Sequence, residues 1–105
     1  MDYHYPKTRD PEVIKYFNKE VMEAFQHWNE KVMEPGKLDK KTKELVAVAC
    51  TYMPRCPYCI EGHTKFAMEA GASKEEIAEV IQIAMALNAG ACVAHRNIAL
   101  DLEEK

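Results

Sequence analysis

Residues 39–71 have the sequence DKKTKELVAVACTYMPRCPYCIEGHTKFAMEAG and contain the start and stop signals of two helices. Asp39 is a capping residue for a helix of about three turns, and Pro54 prevents that helix from continuing. A second helix is predicted to begin near Cys56 and to end at Gly71, which is a common C-terminal stop. The segment therefore predicts two consecutive helices joined by a short turn.

Upstream of this segment, apolar residues recur every three or four positions, which predicts one amphipathic helix. Asp10-Pro11 is the expected start of that helix, and Pro35-Gly36 follows its expected end. Such a helix is longer than a domain of this size needs for its own core, so part of its apolar stripe is expected to pack on another subunit. The stripe consists of Val13, Phe17, Val21, Phe25, Trp28 and Val32.

Downstream, Ser73 and Glu76 form a capping-box pattern at the start of a fourth helix. The sequence Asn88-Ala89-Gly90 is expected to interrupt that helix, and a fifth segment then continues to about Leu102. No stretch alternates apolar and polar residues as a half-buried strand does. The sequence therefore predicts an all-α fold of about five helices, with one domain over residues 1–105 and a loosely held arm at residues 1–10.

Composition limits the classes of function. With 105 residues and a net charge of −3, the chain offers no electrostatic reason to expect nucleic-acid binding. The polar opening MDYHYPKTRD is not expected to be the core of a signal peptide. The weakly polar stretch 81–94 is shorter than a bilayer requires, so no membrane partner is expected and the predicted location is cytoplasmic.

The residue types that carry chemistry are concentrated around Cys56-Pro57-Tyr58-Cys59. Cys56, Cys59 and His63 lie at i, i+3 and i+7, so one helix face presents all three. In a cytosolic protein, two cysteines at this spacing indicate either redox chemistry or metal binding. Cys59 shares its helix face with His63, Phe66 and Ala70, which predicts that Cys59 faces inward. Cys56 lies at the tip of the helix and is predicted to be more accessible. Glu44, on the preceding helix, is a candidate carboxylate that reaches His63 or a water and draws a proton from the thiol.

Together these residues spell E-x11-C-x2-C-x3-H, from Glu44 through Cys56 and Cys59 to His63. This pattern resembles the signature of the carboxymuconolactone decarboxylase superfamily, in its alkylhydroperoxidase D-like (AhpD-like) redox branch. The segment GASKEEIAEVIQIAMALNAGA, residues 71–91, is similar to the helical segment that follows the motif in that family. The resemblance covers residues 38–102, and it implies an AhpD-like helical domain that forms a homotrimer or homohexamer.

The resemblance also implies roles for the four residues. Cys59 would be the thiolate that attacks a hydroperoxide, and Cys56 would condense with the resulting sulfenic acid to form a disulfide. Glu44 and His63 would form the relay that deprotonates Cys59. The expected function is an antioxidant oxidoreductase that is re-reduced by an external thiol or dithiol and needs no cofactor. The chain departs from well-described peroxidase members at Tyr58, where they have a histidine, and in having one helical unit rather than two.

Alternative interpretations remain open from the residues alone. Cys56 and Cys59 could join Cys92 and His95 in a zinc site with three cysteines and one histidine, or the module could be purely structural. A non-redox enzyme acting on a small lactone or acid is a third alternative. Elsewhere, Cys50 is predicted to be a small core side chain. The lysines at positions 40, 41 and 43 are predicted to be the solvated start of a helix.

Overall fold

The computed structural model describes residues 11–102, and every regular element in that range is helical. The all-α prediction is therefore confirmed. The predicted arm at residues 1–10, including the cap at Asp10, lies outside the described residues. The elements are a 3₁₀ helix at Pro11–Tyr16, α1 at Lys19–Met33, α2 at Lys40–Thr51, α3 at Pro57–Glu69, α4 at Lys74–Ala94 and α5 at Ile98–Leu102.

The first predicted helix is divided into two elements, so its predicted start at Asp10-Pro11 is wrong. Pro11–Tyr16 is a 3₁₀ helix, and the α-helix begins only at Lys19. Asn18 has an extended backbone, and its side-chain oxygen accepts the Val21 N–H at 3.0 Å. Asparagine competes with the helical backbone for hydrogen bonds in this way, and it is therefore a preferred cap.

The predicted starts of the next three helices are confirmed. Asp39 caps α2 by accepting the Thr42 N–H at 2.8 Å, and this hydrogen bond holds the pKa of the Asp39 carboxyl below its usual value. Ser73 and Glu76 form the predicted capping box at α4. Between them, Gly71 adopts a φ of +102°, a left-handed conformation that a residue with a Cβ rarely adopts.

α4 continues past the predicted interruption at residues 88–90 and ends at Ala94. The Asn88 side chain donates to the Ala84 carbonyl at 2.9 Å, one turn earlier, so it bonds to its own helix and does not end it. The helical stretch Lys74–Leu102 is therefore long and apolar enough, by length and composition, to cross a membrane. The expectation that no stretch reaches that length is wrong, because it counted residues 81–94 alone, whereas the helical stretch begins at Lys74 and extends to Leu102.

The core lies where α2, α3 and α4 meet, and Val48, Ala67 and Ile77 are buried there. α1 packs mainly at its C-terminal end, where Lys43 donates to the Val32 and Glu34 carbonyls. The Cα radius of gyration is 18.0 Å, against roughly 13 Å for a compact chain of this length. Much apolar surface is consequently exposed in the single chain. It includes the part of the predicted stripe that lies on α1, here called the α1 stripe, which consists of Val21, Phe25, Trp28 and Val32.

Candidate functional site

Glu44 is the most deeply buried charged side chain among the described residues, with 2% of its surface exposed. It lies on α2 and faces α3, and both of its carboxylate oxygens have partners. Oε2 is 3.0 Å from His63 Nδ1, and Oε1 is 3.1 Å from Lys40 Nζ. A buried carboxylate requires such partners, because burial of an unpaired charge is costly. The structure therefore brings Glu44 and His63 together in a direct hydrogen bond.

His63 lies on α3, with its side chain about one quarter exposed. An ionised carboxylate can only accept hydrogen bonds, so Nδ1 is the donor to Glu44. In the neutral imidazole, Nε2 then carries the lone pair and can accept a proton. The edge of the Phe66 ring packs against the imidazole, with ring centroids 6.0 Å apart. Glu44 and Phe66 thus fix the tautomer and the orientation of His63.

The two motif cysteines occupy the first turn of α3, immediately before His63. Cys56 is the N-cap of the helix, and its Sγ accepts the Cys59 N–H at 3.3 Å. In the single chain Cys56 is half-buried and Cys59 is exposed, which is the reverse of the prediction. Cys56 is half-buried because it belongs to the connection after α2, where its N–H donates to the Thr51 carbonyl. Its sulfur points back over the end of α3, where it accepts the Cys59 N–H.

A pocket of about 590 Å³ adjoins the Glu44–His63 pair between α1, α2 and α3. Its walls combine apolar groups such as Met33 and Phe66 with several carboxylates. A second cavity, of about 690 Å³, lies between α3 and α4 and is lined by none of the four motif residues. The first pocket therefore gives access to Glu44 and His63, and neither Cys56 nor Cys59 lines it.

Lys40 belongs to this site, although the sequence interpretation treated it as solvated. Lys40 is exposed at the start of α2, as predicted, but the i, i+4 spacing also places it one turn before Glu44, where its ammonium reaches the buried carboxylate. Lys41 and Lys43 are also engaged, Lys41 with Glu76 at 2.7 Å and Lys43 with the end of α1. The Lys41 ammonium is the main reason that the pKa of Glu76 is lowered.

The other cysteines and histidines of the described range are not brought into this site. Cys50 is exposed in the single chain, which contradicts its predicted place in the core, and Cys92 is exposed as well. His95 is exposed and bonds through Nδ1 to the Ala91 carbonyl at 3.0 Å. Within residues 11–102, no three His, Cys, Asp or Glu side chains are grouped so that they could hold a metal ion. The four-ligand zinc set is therefore not assembled.

The helical fold, the paired cysteines and the buried carboxylate–histidine pair together define an AhpD-like protein. The model of the family described as "Carboxymuconolactone decarboxylase family" matches residues 19–101. The chain belongs to the carboxymuconolactone decarboxylase family, and the resemblance inferred from the motif is confirmed.

Relatives of known sequence support the same assignment. The chain is 47% identical over 80 residues to "Uncharacterized protein 4 in cox locus" from Paracoccus denitrificans, covering 76% of this chain and 72% of that protein. It is also 40% identical over 57 residues to the alkyl hydroperoxide reductase AhpD of Coxiella burnetii. That match covers 54% of this chain but 32% of AhpD, so the chain spans about a third of that relative's length.

Solved structures show the same fold. A protein from Methanobacterium thermoautotrophicum superposes with a TM-score of 0.72 at 35% identity, covering 76% of this chain and 90% of that one. A carboxymuconolactone decarboxylase family protein from Thermotoga maritima gives a TM-score of 0.66 at 35% identity, with coverages of 84% and 92%. The architecture is therefore shared with proteins of which this chain covers nine-tenths, one of them described as a member of this family.

Proposed function

We propose that the protein is a cysteine-based antioxidant oxidoreductase that reduces hydroperoxides through Cys56 and Cys59. The observation that carries the proposal is the buried Glu44–His63 hydrogen bond, one helical turn from Cys59. Such a pair supplies a base that is held in place and oriented, which an active thiol requires. The similarity to AhpD supports a peroxide-related role on independent grounds.

In the proposed reaction, His63 Nε2 takes the proton of the Cys59 thiol, and Glu44 stabilises the imidazolium that forms. The Cys59 thiolate attacks the terminal oxygen of ROOH, the O–O bond breaks, and the His63 imidazolium returns its proton to the leaving alkoxide, which gives ROH. Cys59 is left as a sulfenic acid. The exposure of Cys59 in the single chain is compatible with access for a peroxide.

The second half of the cycle uses Cys56. Its sulfur attacks the Cys59 sulfenic acid, which forms the Cys56–Cys59 disulfide and releases water. An external thiol or dithiol then reduces the disulfide by exchange, becomes oxidised itself, and returns both cysteines to thiols. The hydrogen bond from the Cys59 N–H to Cys56 Sγ holds the two residues in one helical turn, which favours closure of the disulfide.

The proposal includes a homotrimer or homohexamer in the cytoplasm, with no nucleic-acid or membrane partner. The exposed apolar faces of α1 and of Lys74–Leu102 support self-association, because a soluble monomer rarely exposes this much contiguous apolar surface. Sedimentation without detergent tests this part. A trimer or hexamer is the expected result, whereas a protein that is soluble only with detergent or lipid would contradict it.

The chemistry is tested by intact-mass spectrometry of the reduced protein before and after addition of an organic hydroperoxide. Each chain is expected to lose two hydrogens, and a dithiol should restore them. Cys59→Ser should abolish peroxide consumption, and Cys56→Ser should leave a sulfenic acid that dimedone traps. Cys50→Ser and Cys92→Ser are matched controls, since neither lies in the first turn of α3. Full activity in Cys59→Ser would refute the assignment.

A further inference from the structure

Lys40 connects the end of α1 to the buried carboxylate of the site. Its ammonium lies 3.1 Å from Glu44 Oε1 and donates to the Met33 carbonyl at 3.3 Å. Met33 is the last residue of α1, so this carbonyl is one of those that the helix leaves without an intrahelical partner. One side chain thus stabilises a helix end and holds one oxygen of Glu44.

The charges around the pocket make this ammonium unusual. Among the described residues that line the pocket, Lys40 is the one lysine, and four glutamates also line it, namely Glu30, Glu34, Glu44 and Glu69. Lys43 binds the end of α1 and does not line the pocket. From α4, Glu76 reaches α2 through Lys41. Lys31 pairs with Glu34 at 3.4 Å, so Lys40 is the lysine that reaches Glu44 itself, and removing its charge would leave that carboxylate with His63 as its side-chain partner.

We propose that Lys40 is a positioning residue for the Glu44–His63 pair. It holds Oε1, so that Oε2 faces His63 Nδ1, and its positive charge opposes the uptake of an additional proton by the pair. The consequence for catalysis rests on the proposed function, in which a neutral His63 must accept the Cys59 proton. An imidazolium has no lone pair for that step.

The direction of the effect follows from electrostatics. Removing a positive charge beside a carboxylate makes proton binding more favourable, so the pair would retain its additional proton to higher pH. The Lys40 side chain is 48% exposed, and solvent therefore screens part of its influence.

Three variants separate this role from a purely structural one. Lys40→Met keeps the apolar stem and removes the charge, whereas Lys40→Arg keeps the charge. Lys43→Met is the matched control, because the Lys43 ammonium also donates to carbonyls at the end of α1 but forms no ion pair with the Glu44 carboxylate. The ring nitrogens of His63 are followed by ¹⁵N NMR as a function of pH, with the signal assigned by its loss in His63→Gln. The pH dependence of peroxide consumption is measured in parallel.

The expected result is that Lys40→Met moves both His63 protonation and the acid limb of the rate profile to higher pH. Lys40→Arg and Lys43→Met should match the wild type. Unchanged His63 protonation in Lys40→Met, or an equal shift in Lys43→Met, would overturn the inference even if the protein consumes peroxide. Conversely, a shift confined to the Lys40→Met protein would support the inference even if no variant consumes peroxide, in which case the proposed function alone would fail.

Discussion

Glu44 and His63 should contribute very differently to stability, although they share one hydrogen bond. Glu44 is 2% exposed, whereas the His63 and Lys40 side chains are 26% and 48% exposed. When Glu44 is replaced by Met, both former partners can turn to water, and a buried charge is removed. When His63 is replaced by Leu, the Oε2 atom of Glu44 stays buried and loses its partner. His63→Leu therefore leaves a buried carboxylate oxygen without the hydrogen bond that offsets its desolvation, whereas Glu44→Met leaves no such atom.

The magnitudes follow from that difference. Glu44→Met is expected to change the free energy of unfolding by no more than about 1 kcal/mol, because an apolar side chain of similar size often replaces a buried ion without loss. His63→Leu is expected to lower it by about 2 kcal/mol, the cost of one unsatisfied buried acceptor. Both variants should reduce the rate of peroxide reduction by about 100-fold or more, the usual contribution of a positioned general base.

Urea denaturation followed by circular dichroism measures the stability difference, at one protein concentration because association itself adds stability. Peroxide consumption by the same samples measures the loss of activity. If Glu44→Met proves less stable than His63→Leu, the assignment of the desolvation cost to the carboxylate is wrong. If Glu44→Met retains wild-type activity, the carboxylate has no part in the proposed proton transfer.

The remaining predictions concern helix ends, acid stability and association. The pKa values of Asp39 and Glu76 are held below their ordinary values of 3.8 and 4.5. These carboxyls therefore stabilise the fold at pH values above their ordinary pKa, and this stabilisation is lost as the pH falls through their lower pKa values in the folded state. Asp39→Asn and Glu76→Gln should therefore flatten the acid limb of thermal stability, measured by calorimetry between about pH 5 and pH 3. Gly71→Ala should cost about 1–2 kcal/mol in urea denaturation, because the backbone there has a φ of +102°. Trp28→Ser should lower the sedimentation coefficient if the α1 stripe, in which Trp28 is 64% exposed, lies between subunits.

Local chemistry explains which helix boundaries could be predicted from the sequence. Asp39 and the Ser73–Glu76 capping box act within one turn, so their residue types suffice to place the starts of α2 and α4. The start of α1 was misplaced because Asn18, which lies inside the predicted helix, caps α1 with its side chain. Residues 88–90 were misjudged because the side chain of Asn88 bonds within its own helix.

The site divides in the same way. The sequence was sufficient to predict that Glu44 and His63 lie close together, because the family motif and the helical spacing both place them on facing surfaces. The exposures of Cys56 and Cys59 could not be predicted from a helical stripe, since they depend on how the connection after α2 turns. The contact between Lys40 and Glu44 was missed because a lysine in the first turn of a helix is usually solvated. The sequence does not show that Glu44 is buried, and its burial is what gives the Lys40 ammonium a buried partner.

These contacts separate two parts of the site by what holds them in place. The Glu44–His63 hydrogen bond joins α2 to α3, which pack within one chain, so the proton-accepting pair forms when each chain folds. α1 supplies a different wall of the pocket, exposes most of its apolar stripe, and is held to α2 at its C-terminal end by Lys40 and Lys43. Lys40 contacts both parts, through Met33 on one side and Glu44 on the other. Lys40 is therefore the side chain that joins the end of α1 directly to the buried carboxylate.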